Sequence, residues 1–598
     1  MGPQRVVRRQ ARRFLTDRQH RGPRWPWAAV LLALGCKASA PEPVDPEPLP
    51  VPVETTDADL DYRSLEFSEL LTKVSDPETC VSAMIEVAYR FGKATADERS
   101  ALVAESVPAM LQVWDLAPEL RLPILRLYEN VGDVGAAPIW NRALTVNELP
   151  SPVEEFESAA RAVASTRAMA SLPTVHATMA WFLEHPNADH VQEAGAQRLL
   201  LVEAMIAIRD PSSVPVLLEV LKQPVDKQPV AVHRRTADAL GILRDPAAVH
   251  GLILAPYDIP DAPSTKSVPE RAKAALASIG EPAVEPLLVA LRGEDADLNA
   301  LLERNGLHQS PVGTMAAIMA LGAIGSPKAV PALLEAMPDD DCGSRGNRSA
   351  TGDDDESWKL SMRAMYANTL GLIGDERAVA PLCRCAKGSR DPGELYPITE
   401  ALGRIGGAAA SACIAQVIRR GRYDADAVAS PEFELEIRWE AARHGLLAAG
   451  PGQLRQIESA IKAANRSPEV AKHTGQWNSG IEVLRRCKDS DLECFLAELS
   501  KPDQPWFAQE VAAINAARLA PGDARVAEAI TVAYATLDPD LRTTLAWLAG
   551  HMLEGKRCET CAQNLRLTLE GSDAPKRLTP DYQLSVLMGR TAIAKLRE

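Results

Sequence analysis

The sequence predicts an all-α protein, a right-handed α-solenoid of about a dozen antiparallel helical pairs. Three observations carry that prediction. One helix ending recurs: Ala239-Leu-Gly-Ile-Leu243, Ala320-Leu-Gly-Ala-Ile324, Thr369-Leu-Gly-Leu-Ile373 and Ala401-Leu-Gly-Arg-Ile405. An apolar spacing of i, i+3, i+4, i+7, one face of a helix, recurs as closely. Composition agrees, because 46 % hydrophobic residues with only 5 % aromatics suits helices packed through Ala and Leu.

Most of these endings run into a short polar turn, as in Arg244-Asp-Pro, Gly325-Ser-Pro and Gly374-Asp-Glu, and Gly280-Glu-Pro and Arg209-Asp-Pro are two more such turns. The polar residue can cap the next helix, and proline just inside a helix start forfeits no hydrogen bond. Chain reversals are therefore expected near Asp210, Asp245, Glu281, Ser326 and Asp375. The second helix of each pair is read from Val214/Leu217/Leu218/Leu221, then Val284/Leu287/Leu288/Leu291, then Val330/Leu333/Leu334/Met337, and more weakly Val379/Leu382/Cys383/Ala386. Further pairs are expected near 81–114, 119–145, 155–184, 434–463, 477–499, 506–536 and 540–570. Residues 293–310 and 338–357 read as insertions, the second as an acidic surface loop.

These residues resemble the HEAT-repeat family, in particular its short form related to phycobilin lyases. The resemblance is strongest over 197–420 and degenerates over 58–196 and 421–598. Stacking has a physical reason, because one amphipathic pair cannot bury its own apolar stripe. In a HEAT-type stack the second helices line the concave side. The resemblance thus makes Glu219, Lys222, Arg292, Glu335 and Arg384 candidate groove contacts, and it brings a lyase-like or chaperone-like activity as the alternative function.

Residues 1–35 read as a signal peptide, with eight arginines ahead of the apolar run from Trp27 to Leu34. Leu-Ala-Leu-Gly-Cys36 resembles a bacterial lipobox, which implies lipidation of Cys36. Residues 36–57 form a linker with proline at nearly every second place from 41 to 53, a composition that favours extended polyproline II. Lys37 stands where inner-membrane retention calls for Asp, so the expected site is the cell envelope, outer membrane.

Formal net charge is −15, and without residues 1–35 the chain carries 57 basic and 79 acidic groups, −22. A body this acidic repels phosphate backbones, so nucleic acid is not an expected partner. No His-Glu-x-x-His, Gly-x-Ser-x-Gly, phosphate loop or dinucleotide fingerprint occurs. The clusters Asp339–Asp341 and Asp353–Glu356 lack the alternation of a calcium loop. No metal or cofactor is expected. In an exported chain cysteines pair before they bind metal. Cys487 with Cys494, and Cys558 with Cys561, are the disulfide candidates. A zinc site from these four is too spread out, and a thioredoxin-like role calls for a βαβ setting that the pattern lacks. Cys383 and Cys413, on successive repeats, are expected to lie about 10 Å apart, beyond bonding reach without local adjustment.

The sequence thus describes a non-enzymatic scaffold for protein or peptide partners, tethered to the cell envelope. A Cys36→Ser variant is expected to leave the membrane fraction or to retain its leader; fractionation and intact mass decide, and equal membrane retention of both forms excludes the lipid anchor.

Overall fold

The computed structural model describes residues 62–596 apart from 77, 147–150, 187–194, 260–266, 308–311, 339–353, 390–391, 421–430, 465–474, 502, 535–538 and 571–579. Cys36, the proline-rich linker and the acidic stretch 339–353 therefore lie outside the described residues. Every described regular element is helical. Two compact units emerge, divided near residues 208 and 209.

The first unit holds α1 (Phe67–Val74), α2 (Cys80–Lys93), α3 (Ala96–Leu116), α4 (Arg121–Val131), α5 (Ala137–Leu144), α6 (Val153–Thr166), α7 (Leu172–Glu184) and α8 (Ala196–Ile208). Its core is built on Phe91, Tyr128, Trp140, Phe156 and Phe182, all buried. Some polar groups inside it are paired: the Tyr128 and Ser106 hydroxyls lie 2.6 Å apart, and Thr178 Oγ1 donates to Leu144 O at 2.8 Å, whereas the buried Trp140 Nε1 has no partner.

The second unit begins with α9 (Ser213–Leu221), α10 (Val230–Leu243), α11 (Val249–Asp258), α12 (Val268–Ile279), α13 (Val284–Leu291), α14 (Ala296–Arg304), α15 (Val312–Ile324) and α16 (Val330–Ala336). It continues with α17 (Asp354–Ile373), α18 (Val379–Gly388), α19 (Pro392–Ile405), α20 (Gly407–Arg420), α21 (Pro431–Ala448), α22 (Leu454–Ala464) and α23 (Asn478–Arg486). It closes with α24 (Leu492–Leu499), α25 (Trp506–Leu519), α26 (Ala524–Tyr534), α27 (Pro539–Met552), α28 (Glu559–Glu570) and α29 (Pro580–Lys595). The expected pairs and reversals are present. Asp245, Ser326 and Asp375 each accept a hydrogen bond from the amide two residues on. Val214, Leu217 and Leu221 are buried, as are Val284, Leu287, Leu288 and Leu291.

One expectation gains an element and another needs correction. The insertion at 293–310 contains a helix, α14: Asp295 caps it by accepting from the Leu298 amide at 3.0 Å, and Leu298, Leu301 and Leu302 are buried. The acidic loop expected to reach residue 357 stops earlier, because α17 begins at Asp354.

The repeated Ala-Leu-Gly explains how the rows pack. A Cβ at Gly241 would stand 2.8 Å from the Ala275 Cα, and one at Gly371 2.6 Å from the Ala401 Cα. First helices therefore approach backbone to backbone: α10 on α12, α15 on α17, α17 on α19 and α19 on α21. From α4 to α19, the residue that ends each first helix has positive φ, at Gly132, Arg167, Arg209, Arg244, Gly280, Gly325, Gly374 and Gly406. Glycine adopts that conformation freely, whereas a residue with a Cβ gives up about 1–2 kcal/mol. Replacing exposed Arg167 (φ 54°) by glycine is accordingly expected to stabilise the first unit by about 1 kcal/mol in urea unfolding.

Candidate functional site

The helices after residue 500 do not extend the second unit; they return along it. α29 packs on α12 and α15, as well as on α27. The contacts gather where first helices end. Lys595 Nζ donates to Ile324 O at 2.9 Å, and Arg244 Nη2 donates to Leu596 O at 2.6 Å. Trp547 Nε1 donates to Leu372 O at 2.8 Å, with His551 Nε2 2.9 Å from the same oxygen. Arg518 donates to Leu447 O at 2.6 Å, to Gly403 O at 2.9 Å and to Arg404 O at 3.3 Å. The last carbonyls of a helix have no partner within it and carry the negative end of its dipole, so cationic donors are the groups that complete them. Burial lowers the Arg518 guanidinium to about 10 and, with Lys595 nearby, the His551 imidazole to about 4.

One turn further into the same interior lies a cluster of ionisable side chains. Arg443 on α21 makes a forked pair with Glu510 on α25 at 2.9–3.2 Å, and Thr544 on α27 donates to Glu510 Oε1 at 2.7 Å. The guanidinium also lies 5.0 Å from the centre of the Trp506 ring. Burial alone would lower the Arg443 pKa, but Glu510 and Glu440 more than offset it and hold the guanidinium charged. Glu440 Oε2 is 3.5 Å from Arg443 Nη1, too far for a hydrogen bond. Burial raises this carboxyl to about 7, with Glu510 and Glu400 adding to the rise and Arg443 opposing it. On α19, Arg404 Nη2 donates to Glu400 Oε1 at 2.6 Å, while its buried Nη1 has no partner.

Thr399 Oγ1, His444 Nδ1 and Glu440 succeed one another in the order of a nucleophile, base and carboxylate, at 3.0 Å and then 3.9 Å from His444 Nε2. The order does not bring the chemistry with it. Thr399 donates its own proton to Tyr396 O at 3.0 Å, and both Thr399 and His444 are 1 % exposed, so a substrate has no way in. Burial first, then Arg443 and Arg404, hold His444 neutral, well below the usual imidazole range. The cluster reads as a buried ion network that joins α19, α21, α25 and α27.

The sequence-expected contacts lie elsewhere. Glu219, Glu335 and Arg384 are exposed on second helices, and Lys222 and Arg292 on the residues that end them. Lys222 pairs with Glu219 at 2.8 Å, and Arg292 with Glu294 at 2.8 Å and Glu285 at 3.2 Å. The first helices form the inner row, the one that α29 covers, and these five residues lie on the other layer, that of the second helices. Cys487 and Cys494 stand with Cα atoms 5.6 Å apart across the α23–α24 turn, and Cys558 and Cys561 5.2 Å apart at the start of α28, each pair bridged. Cys383 and Cys413, expected about 10 Å apart, stand 5.8 Å apart and are bridged, because α18 and α20 pack directly on one another.

Part of this architecture has a known counterpart. Residues 315–337 match the PBS lyase HEAT-like repeat. The match spans the Ala320-Leu-Gly-Ala-Ile324 ending, its turn at Ser326 and all of α16. No curated protein matches the chain.

The raised Glu440 carboxyl has a sign that can be measured. Its folded pKa of about 7 lies above the unfolded value near 4.5, so its contribution is present at acid pH and is lost as pH rises through about 7. Glu440→Gln is therefore expected to match the parent at pH 5 and to exceed it in melting temperature at pH 8. A constant difference between the two pH values excludes the assignment.

Proposed function

We propose that the protein is a non-enzymatic interaction scaffold, carried on the cell envelope through Cys36, whose layer of second helices binds a protein or peptide partner. The observation that carries this reading is the occupancy of the inner row. Its helix ends are filled by Arg518, Trp547, His551 and Lys595 of the same chain, which leaves the outer layer as the open surface. That layer mixes both signs along Glu219, Lys222, Glu285, Arg292, Lys328, Glu335 and Arg384. Mixed signs suit a protein surface read by local charge pairs, and with a body charge of −22 they disfavour nucleic acid. The linker of residues 36–57 supports the tether, since an extended proline-rich segment holds a folded body about 40 Å from its anchor.

The match at residues 315–337 favours one alternative, a lyase-like or chaperone-like activity on a tetrapyrrole. Visible absorbance that co-purifies with the chain would decide for it. For the scaffold, the lipidated chain is cross-linked in native membranes and the partner's affinity is measured with Glu219→Lys, Arg292→Glu, Glu335→Lys and Arg384→Glu. Each reversal is expected to weaken binding roughly two- to fivefold, and less so in high salt. Unchanged affinity across all four, with helicity retained, excludes the second-helix layer.

A further inference from the structure

The three described bridges of the second unit do different mechanical work. Cys383–Cys413 fastens α18 to α20, and Cys487–Cys494 fastens the end of α23 to the start of α24. Cys558–Cys561 fastens only the first turn of α28 to itself. With sequence separations of 30, 7 and 3, loop-closure entropy favours the widest bridge over the narrowest by roughly twentyfold. The narrowest bridge thus contributes least to holding the fold, so opening it disturbs the fold least.

Its setting differs as well. Cys558 is the residue before α28, and its sulfur accepts the Cys561 amide at 3.2 Å. That is the contact by which Asp295 takes the Leu298 amide at 3.0 Å and Asp491 the Cys494 amide at 3.0 Å. The sulfur occupies the position of a capping carboxylate, where a helix N-terminus favours negative charge. Lys556 and Arg557 precede it, with Glu559 next in the chain. Cys558 is half-buried, whereas Cys561 is fully buried. One sulfur is thus open to attack, and the other is shielded.

We propose that Cys558 and Cys561 form a thiol–disulfide exchange site that oxidises a protein or peptide dithiol. The partner's thiolate attacks Cys558 Sγ, the Cys558–Cys561 bond breaks, and its electron pair leaves on Cys561 Sγ, which takes up a proton. The partner's second thiolate then attacks the mixed disulfide and releases Cys558 as a thiolate onto the Cys561 amide. Two electrons pass from the partner to the two cysteines, and the partner leaves as a disulfide. The Cys561 amide and the helix N-terminus favour negative charge on Cys558 Sγ, which makes it the better leaving group in the second step. This inference stands apart from the scaffold reading, because it uses a different surface.

The test uses the full chain with its bridges intact. It is equilibrated in graded glutathione buffers, alkylated and mapped by peptide mass. Cys558–Cys561 is expected to open at a thiol-to-disulfide ratio at least tenfold lower than Cys487–Cys494 and Cys383–Cys413. A reduced synthetic peptide with two cysteines is expected to be oxidised stoichiometrically by the parent and by the Cys487→Ser/Cys494→Ser variant. The Cys558→Ser/Cys561→Ser variant is expected to keep its helicity and lose that reaction. Cys561→Ser alone, offered the disulfide peptide, is expected to hold it as a mixed disulfide through Cys558. Opening of all three bridges together, or peptide oxidation that survives in Cys558→Ser/Cys561→Ser, overturns the proposal.

Discussion

Completing the carbonyl groups at the ends of the inner helices is the constraint on which the second unit depends. First helices approach closely through Gly241 and Gly371, and the last helices cover their ends, so that Leu372 O and Ile324 O lie in buried hydrogen bonds. A buried acceptor without a donor costs roughly 1–3 kcal/mol, and several of them would outweigh much of a domain's net stability. The chain answers with donors from its own last helices. The cost of burying Arg518 and Lys595 is offset because each meets helix ends whose dipoles favour positive charge. Arg244 shows the same logic from the other side. It sits at φ 55°, where the repeats that follow use Gly280, Gly325, Gly374 and Gly406, and its guanidinium reaches Leu596 O.

This closure changes the energetics expected of a repeat protein. In an open stack each unit touches only its neighbours, and stability adds up along the row. Here Arg443 meets Glu510 and Arg518 meets Gly403, 67 and 115 residues away, so early and late repeats stabilise one another. The Arg443–Glu510–Thr544 network is a weak source of net stability, since desolvation offsets most of what the pairing returns. Its contribution is register. A forked pair with a third donor forms only when α21, α25 and α27 stand in one arrangement.

Much of the fold was legible because its determinants are local. Ala-Leu-Gly endings, polar turns at Asp245, Ser326 and Asp375, and the spacing Val284/Leu287/Leu288/Leu291 each lie within a dozen residues. The features that lay outside the sequence were non-local. α14 was missed because a nine-residue helix offers only Leu298, Leu301 and Leu302 as its apolar face. Which row of helices the last elements cover was not legible because both helices of a pair are amphipathic, and the deciding contacts come from residues beyond 500. The buried cluster escaped notice for a related reason: Glu440 with Arg443 and His444, at i, i+3 and i+4, reads as an ordinary solvated face. The signal that was available is the alanine-rich context of Glu510, in Glu-Val-Ala-Ala-Ile-Asn-Ala-Ala, where a lone carboxylate is out of keeping with its neighbours. The approach of Cys383 to Cys413 depended on how directly α18 and α20 pack, which repeat spacing alone does not fix.

The return of the last helices also bears on how the chain is made. Leu596 is held by Arg244 across 352 residues, Lys595 reaches Ile324 across 271, and Trp547 reaches Leu372 across 175. Synthesis runs from the N-terminus, so each of these inner helix ends emerges long before its partner. A ribosome adding about 5–20 residues each second leaves the inner helix ends open for tens of seconds. Through that interval the nascent repeats expose a bare row of first helices, the surface most apt to pair with another unfinished copy. The row is covered only as α25, α27 and α29 arrive with Arg518, Trp547, His551 and Lys595.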